Sequence, residues 1–217
     1  IYNENAGAVA LSATIAASDI DDTNLAGATV AIISGYVTGQ DVLSFVTAGS
    51  ISGTFNAGTL TLTGSATVAD YNTALRAVKF ANNSENPTAG ARNIQFTVTD
   101  GATTSNALSR TLNVAATNDL PVLTSLEATS ITYNENAGEV ALSTTIAASD
   151  IDNTNLEGAT VAITSGYVTG QDVLSFGTAG SISGTFIAGT LTLTGSATVA
   201  DYNSALRAVK FANNSEN

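Results

Sequence analysis

GTLTLTGSATVADYNTALRAVKF, residues 58–80, decides how the rest of the chain is read. Leu60 and Leu62 alternate with threonine, the period-2 pattern of a strand with one buried face. Thr67 then stands three residues before Asp70, a spacing at which a hydroxyl and a carboxylate cap a helix N-terminus, and this predicts one short helix over 67–76. AVKFA, 77–81, returns to a strand pattern. Outward from this stretch the same alternation recurs in Val9, Leu11, Ala13 and Ile15, and in Ile94, Phe96 and Val98 of NIQFTVT. Further strands are predicted around 28–34, 41–47 and 108–116, with glycine or asparagine clusters between them. About seven short strands per unit, with glycine-marked turns and a single helix, predict an all-β chain of antiparallel β-sandwich domains, with an up-and-down barrel as the other arrangement these strands allow.

The opening stretch returns at residues 189–211 with one change, Thr73 to Ser204. Tyr2–Asn86 aligns with Tyr133–Asn217 without a gap, a period of 133 − 2 = 131 residues. Over 1–86 against 132–217 there are nine differences, among them Ala8/Glu139, Asp22/Asn153, Ile33/Thr164 and Asn56/Ile187. Solenoid and propeller units repeat every 20–50 residues or so, which makes each copy here a domain with its own core. The expected division is repeat 1 over 1–119 and repeat 2 over 120–217. The first copy runs on through residues 87–119, and LPVLTSLEATS (120–130) precedes the second. Repeat 1 is therefore expected to lack its opening strand and repeat 2 its last strands.

Composition narrows the chemistry. Asp and Glu number 18 against 6 Lys and Arg, a formal charge of −12, which repels phosphate backbones and anionic membranes and argues against nucleic-acid partners. Cys, His, Trp and Met are absent. Disulfides, thiolate or imidazole metal sites and the usual nucleophile–base pairs go with them, so an enzyme is not expected. Carboxylate, amide, hydroxyl and carbonyl oxygens remain, and these hard donors suit calcium. No apolar run approaches the roughly 18 residues of a membrane helix, and Ile1 does not open a signal peptide, so no membrane insertion is expected.

The acidic residues are not spread evenly. AASDIDDTN (16–24) sets Asp19, Asp21 and Asp22 together, and AASDIDNTN returns at 147–155. In an extended segment Asp19 and Asp21 share a side and can face one cation. The same residues also suit a turn closed by Asx hydrogen bonds.

YNENAG (2–7), AASDIDDTN, FTVTDG (96–101) and NVAATNDLP (113–121) follow one another in an order that resembles the cadherin fold family. Together with GQDVLSF (39–45) and the 58–80 stretch, the chain is similar over essentially its whole length to bacterial cadherin-like repeats. Such repeats form long arrays in giant secreted adhesins, including those with repeats-in-toxin tails. The resemblance implies an extracellular, cell-surface location and a calcium-binding structural spacer or filament segment serving cell or biofilm adhesion. Its partners would be neighbouring repeats or head-to-tail copies. It further implies Ca²⁺ at the junction between repeats, on Glu4, Asn118, Asp119, Asp150 and Asp152, with Asn155 as an additional ligand. Asp19 and Asp21 would serve the preceding junction and Glu135 the following one.

Two departures reduce the expected number of ions. Ala116 stands where the cadherin linker has its first aspartate, and no acidic triplet precedes Asp100. Asp100 is a supplementary ligand candidate or a cap of the turn at Gly101. The Asp22/Asn153 difference reads as a peripheral or turn position. Asp41 reads as a turn residue, Asp70 as a helix-start residue and Lys79 as a solvated or salt-bridged side chain. The alternative function is a glycan- or protein-binding β-sandwich module, with Tyr36 and Tyr71 as the rings available to stack on a sugar.

Overall fold

A computed structural model describes residues 1–47, 49–177 and 180–215. The chain is predominantly β with two short helices, and it divides into two units, Ile1–Thr117 and Asn118–Asn217.

In unit 1 the strands are β1 (Tyr2–Asn3), β2 (Val9–Ala10), β3 (Asn24–Ser34), β4 (Asp41–Ser44), β5 (Ser52–Asn56) and β6 (Thr59–Thr67). Helix α1 (Val68–Ala77) follows, then β7 (Lys79–Asn82), β8 (Gly90–Thr99) and β9 (Leu108–Ala115). One sheet has the order β1-β9-β8-β3-β6-β5 and a second the order β2-β7-β4. Val30 and Ile94 of the larger sheet, Leu43 and Phe80 of the smaller, and Tyr71 and Leu75 of α1 belong to one buried cluster. Large residues alternate inward along β3 and β8, as the period-2 pattern requires.

The helix begins where the capping pattern places it. Thr67 Oγ1 accepts from the Asp70 N–H at 3.1 Å and donates to Asp70 Oδ2 at 2.7 Å. Tyr71 ties the helix to the strand before it, its hydroxyl donating to the Gly64 carbonyl at 2.7 Å.

Three expectations change. The run from Val9 to Ile15 is a strand only over Val9–Ala10, because Ser12 Oγ accepts the N–H groups of Thr14 and Ile15 and turns the chain. The pairing is not wholly antiparallel, since β1 lies parallel to β9 with Tyr2 opposite Val114. β5 was not anticipated: SGTFN has only Phe55 as a large apolar residue, and it pairs with β6 through Thr54 opposite Thr61.

Unit 2 contains β10 (Val122–Thr124), β11 (Val140–Ala141), β12 (Ala147–Ser149), β13 (Asn155–Ala162), β14 (Asp172–Ser175), β15 (Ser183–Ile187) and β16 (Thr190–Thr198). Helix α2 (Val199–Arg207) and β17 (Lys210–Asn213) complete it. Its described strands form the sheets β13-β16-β15, β11-β17-β14 and β10-β12. The α2 cap is a full capping box on Thr198 and Asp201. β10 comes from the stretch at 120–130 and pairs antiparallel with β12, Leu123 opposite Ala148.

Candidate metal centre

In unit 1 the acidic turn lies between Ala17 and β3. Asp19 Oδ1 accepts the N–H groups of Asp21 at 3.0 Å and Asp22 at 2.9 Å, so the segment is an Asx-closed turn and not an extended strand. That curvature decides which carboxylates meet. Asp19, Asp22 and Asp100 each offer an oxygen within 4.8 Å of the others, while Asp21 lies outside this group. Asp100 arrives from the end of β8, where Thr99 pairs with Gly27 of β3.

Asp100 caps its own turn, the second of the two readings the sequence offers for it. Its Oδ1 accepts from the Ala102 N–H at 2.7 Å and the Thr103 N–H at 2.6 Å, and its Oδ2 from Thr103 Oγ1 at 3.0 Å. The Thr103 N–H, then the Ala102 N–H and the Thr103 hydroxyl, lower its pKa. The carboxylate thus closes its own turn while standing beside Asp19 and Asp22. Three carboxylates so close repel one another, and a divalent cation with oxygen preference is the species that relieves this.

In unit 2 the equivalent turn is built the same way. Asp150 Oδ1 accepts from the N–H of Asp152 at 3.0 Å and of Asn153 at 2.7 Å. Asn118 and Asp119 join it: Asn153 Nδ2 donates to Asn118 Oδ1 at 2.8 Å, and the Asp119 N–H donates to Asp152 Oδ2. Asp152 Oδ1 is buried with no hydrogen-bond partner among the described residues. A buried carboxylate oxygen left without a donor is costly, and a cation is one way to satisfy it. Asn155, the first residue of β13, is exposed opposite Thr198.

Glu4 of unit 1 follows β1, its N–H donating to the Ala115 carbonyl at 3.0 Å. Its Oε2 accepts from the Thr117 N–H at 2.8 Å, and its Oε1 is buried without a hydrogen-bond partner among the described residues. Glu85, held by Asn5 Nδ2 at 3.1 Å, also offers a carboxylate oxygen within 4.8 Å of Glu4. Sequence reasoning passed over Glu85, and only the fold brings the two together. Glu135 of unit 2 is exposed.

Other polar residues have structural duties. Asp41 closes the turn at 37–41, its Oδ2 accepting the Val37 N–H at 2.8 Å while its own N–H donates to the Val37 carbonyl at 3.0 Å. It is also buried, 1% exposed, with Arg92 Nε at 2.8 Å and Asn82 Nδ2 at 2.8 Å. Tyr71 is fully buried and unavailable to stack on a sugar, and the Tyr36 ring lies over Gly58, edge-on to Phe55. Glu127 escaped notice in the sequence. It accepts from Ser143 Oγ and from the N–H groups of Thr144 and Thr145, and the Ser143 hydroxyl first, then the Thr144 N–H, hold its carboxyl well below the usual range.

No family model, curated protein or solved structure matches the chain. Among the described residues no helix is long and apolar enough to cross a membrane.

Proposed function

We propose that the chain is a calcium-stabilised structural segment of an extracellular adhesin, built from β-sandwich repeats of the bacterial cadherin-like kind. The observation that carries the reading is Asp152 Oδ1. It sits in an acidic turn that Asp150 Oδ1 closes by accepting the N–H groups of Asp152 and Asn153, and it has no hydrogen-bond donor among the described residues. Asp19, Asp22 and Asp100 support the same reading in unit 1. The donor set is all oxygen, which fits Ca²⁺ and not the softer transition metals. A chain without cysteine has no disulfide staples, and ions bound at its acidic turns would order those turns and stiffen the string. The sandwich reading rests on the buried cluster shared by the two sheets of unit 1. Near-identity of the two copies suits a repeated spacer better than a single recognition module.

Calorimetric titration of Ca²⁺, paired with melting curves in calcium and in chelator, tests the proposal. Heat of binding together with a raised melting temperature is the expected result. Absence of heat with superimposable melting curves would remove the calcium reading.

A further inference from the structure

The two copies are nearly identical in sequence, yet their cores are not equally covered. Tyr2, Leu11, Leu25, Ala28, Val30, Ile32 and Phe80 are all buried in unit 1. Their counterparts 131 residues on, Tyr133, Leu142, Leu156, Ala159, Val161, Ile163 and Phe211, are all only half-buried. The residue types are the same in every pair, so the difference lies in what lies over them. In unit 1 that cover is the β8–β9 hairpin: β8 pairs along the whole inner length of β3, and β9 lies beyond it. In unit 2 the described residues place no strand on the corresponding edge of β13. An apolar groove of 330 Å³ is found there, its lining including Tyr133, Leu142, Val161, Ile163, Leu174 and Phe211.

The edge itself is in order for pairing. The Ile163 N–H donates to the Gly189 carbonyl at 2.8 Å, so by the alternation of a strand the backbone groups of Ile163, Val161 and Ala159 face β16. Those of Ala162, Thr160 and Gly158 point the other way. In unit 1 the equivalent residues Ala31, Thr29 and Gly27 pair with Gln95, Thr97 and Thr99 of β8. Room for an incoming backbone is also present. A Cβ on Gly35 would meet the Ala91 carbonyl oxygen at 2.0 Å, whereas a Cβ on Gly166 meets nothing within 4 Å.

A charge fixes the identity of the missing partner. Asp41 is neutralised by Arg92 of β8. Asp172, its counterpart, is also buried, at 7% exposure, and accepts from Asn213 Nδ2 and the Val168 N–H. It forms no ion pair among the described residues. A buried carboxylate with two neutral donors favours an arginine over any uncharged arrival.

From this we infer that unit 2 is an acceptor for a β-hairpin with the residue pattern of 88–115, which adds antiparallel to β13 and brings an arginine to Asp172. The register follows from unit 1: Val161 opposite the phenylalanine at position 96, Ile163 opposite the isoleucine at 94, Ala159 opposite the valine at 98. The occupant is identified by its chemistry: an antiparallel hairpin whose inward side chains match Ile94, Phe96 and Val98 and which carries an arginine in the place of Arg92. Main-chain ladder bonds supply the affinity of such strand addition, and the alternating side chains and the arginine supply its specificity.

The test titrates a labelled synthetic peptide of residues 87–116 into the whole chain, 1–217, and follows amide exchange in β13. Saturable binding is expected, with exchange of the Gly158, Thr160 and Ala162 N–H groups slowed at least about tenfold. Peptides carrying Arg92→Gln or Phe96→Asp should bind at least about tenfold more weakly. The Asp172→Asn chain should lose the preference for the arginine-bearing peptide over the Arg92→Gln peptide. Should that chain not fold, the peptide substitutions alone decide. No saturable binding, binding indifferent to both peptide changes, or slowed exchange confined to unit 1 would each overturn the proposal. So would self-association that protects β13 without any peptide, since the occupant would then be a second copy.

Discussion

Arg92 and Asp41 form a buried ion pair across β8 and β4, with Nε and Oδ2 2.8 Å apart and side chains 2% and 0% exposed. The guanidinium also donates to the Thr88 carbonyl at 2.8 Å, so it ties the loop before β8 to the smaller sheet. Removing one member of such a pair strands the other charge in a poorly solvated site. Arg92→Leu should therefore destabilise unit 1 by about 3–5 kcal/mol, while the double change Arg92→Leu with Asp41→Leu should recover much of the loss. Denaturant unfolding followed by a probe placed in unit 1 measures both.

The carboxylates of the acidic turns should govern any effect of calcium. At a free concentration about a hundred times the dissociation constant, an ion that binds only the folded state adds roughly 2.7 kcal/mol per site. Asp22→Ala and Asp100→Asn should each reduce the calcium-dependent shift in the melting temperature of unit 1, and Asp152→Asn that of unit 2. Asp70→Asn should leave the shift intact, because Asp70 serves the helix cap. A shift that survives all three changes would place the ion elsewhere.

Local signals were legible and long-range ones were not. Thr67 and Asp70 are three residues apart, so the helix start can be read from the sequence, and Leu60 and Leu62 announce their strand by alternation alone. Asp41 and Arg92 are 51 residues apart, and nothing near either residue in the sequence marks the pair. The acidic turn was half legible. Its residue types pointed to a cation, but the Asx bonds from Asp19 bend the chain, so Asp22 and not Asp21 stands beside Asp19. Ser12 shortened a predicted strand for the same reason, a short polar side chain competing for backbone N–H groups.

Glu127 makes the stability of unit 2 depend on acid pH. Hydrogen bonds from Ser143 and Thr144 hold its folded pKa below the ordinary value of 4.5. A depressed carboxylate contributes stability that is fully present above the unfolded pKa and is lost as pH falls through the folded one. The difference in melting temperature between the chain and its Glu127→Gln variant should thus be constant from neutral pH down to about 5 and narrow below about 4. Melting curves collected across that range check it, and a gap that widens on acidification would contradict the assignment.

Gly35 and Gly166 provide a comparison inside one molecule. Both have left-handed backbones, with φ of 79° and 73°, and both sit in the same SGYVTG context. Alanine at either position carries the strain of that conformation, about 1–2 kcal/mol. Only Gly35 also lies against a neighbouring strand, where a Cβ would meet the Ala91 oxygen at 2.0 Å and force the start of β8 away from β3. Overpacking of this kind adds roughly another 1–3 kcal/mol. Gly35→Ala should therefore destabilise unit 1 clearly more than Gly166→Ala destabilises unit 2, although the two substitutions are identical in sequence terms. Chemical denaturation of the two variants, read unit by unit through amide exchange, measures the gap. With the 87–116 peptide bound, Gly166 acquires the neighbour that Gly35 already has, and the cost of Gly166→Ala should rise toward that of Gly35→Ala.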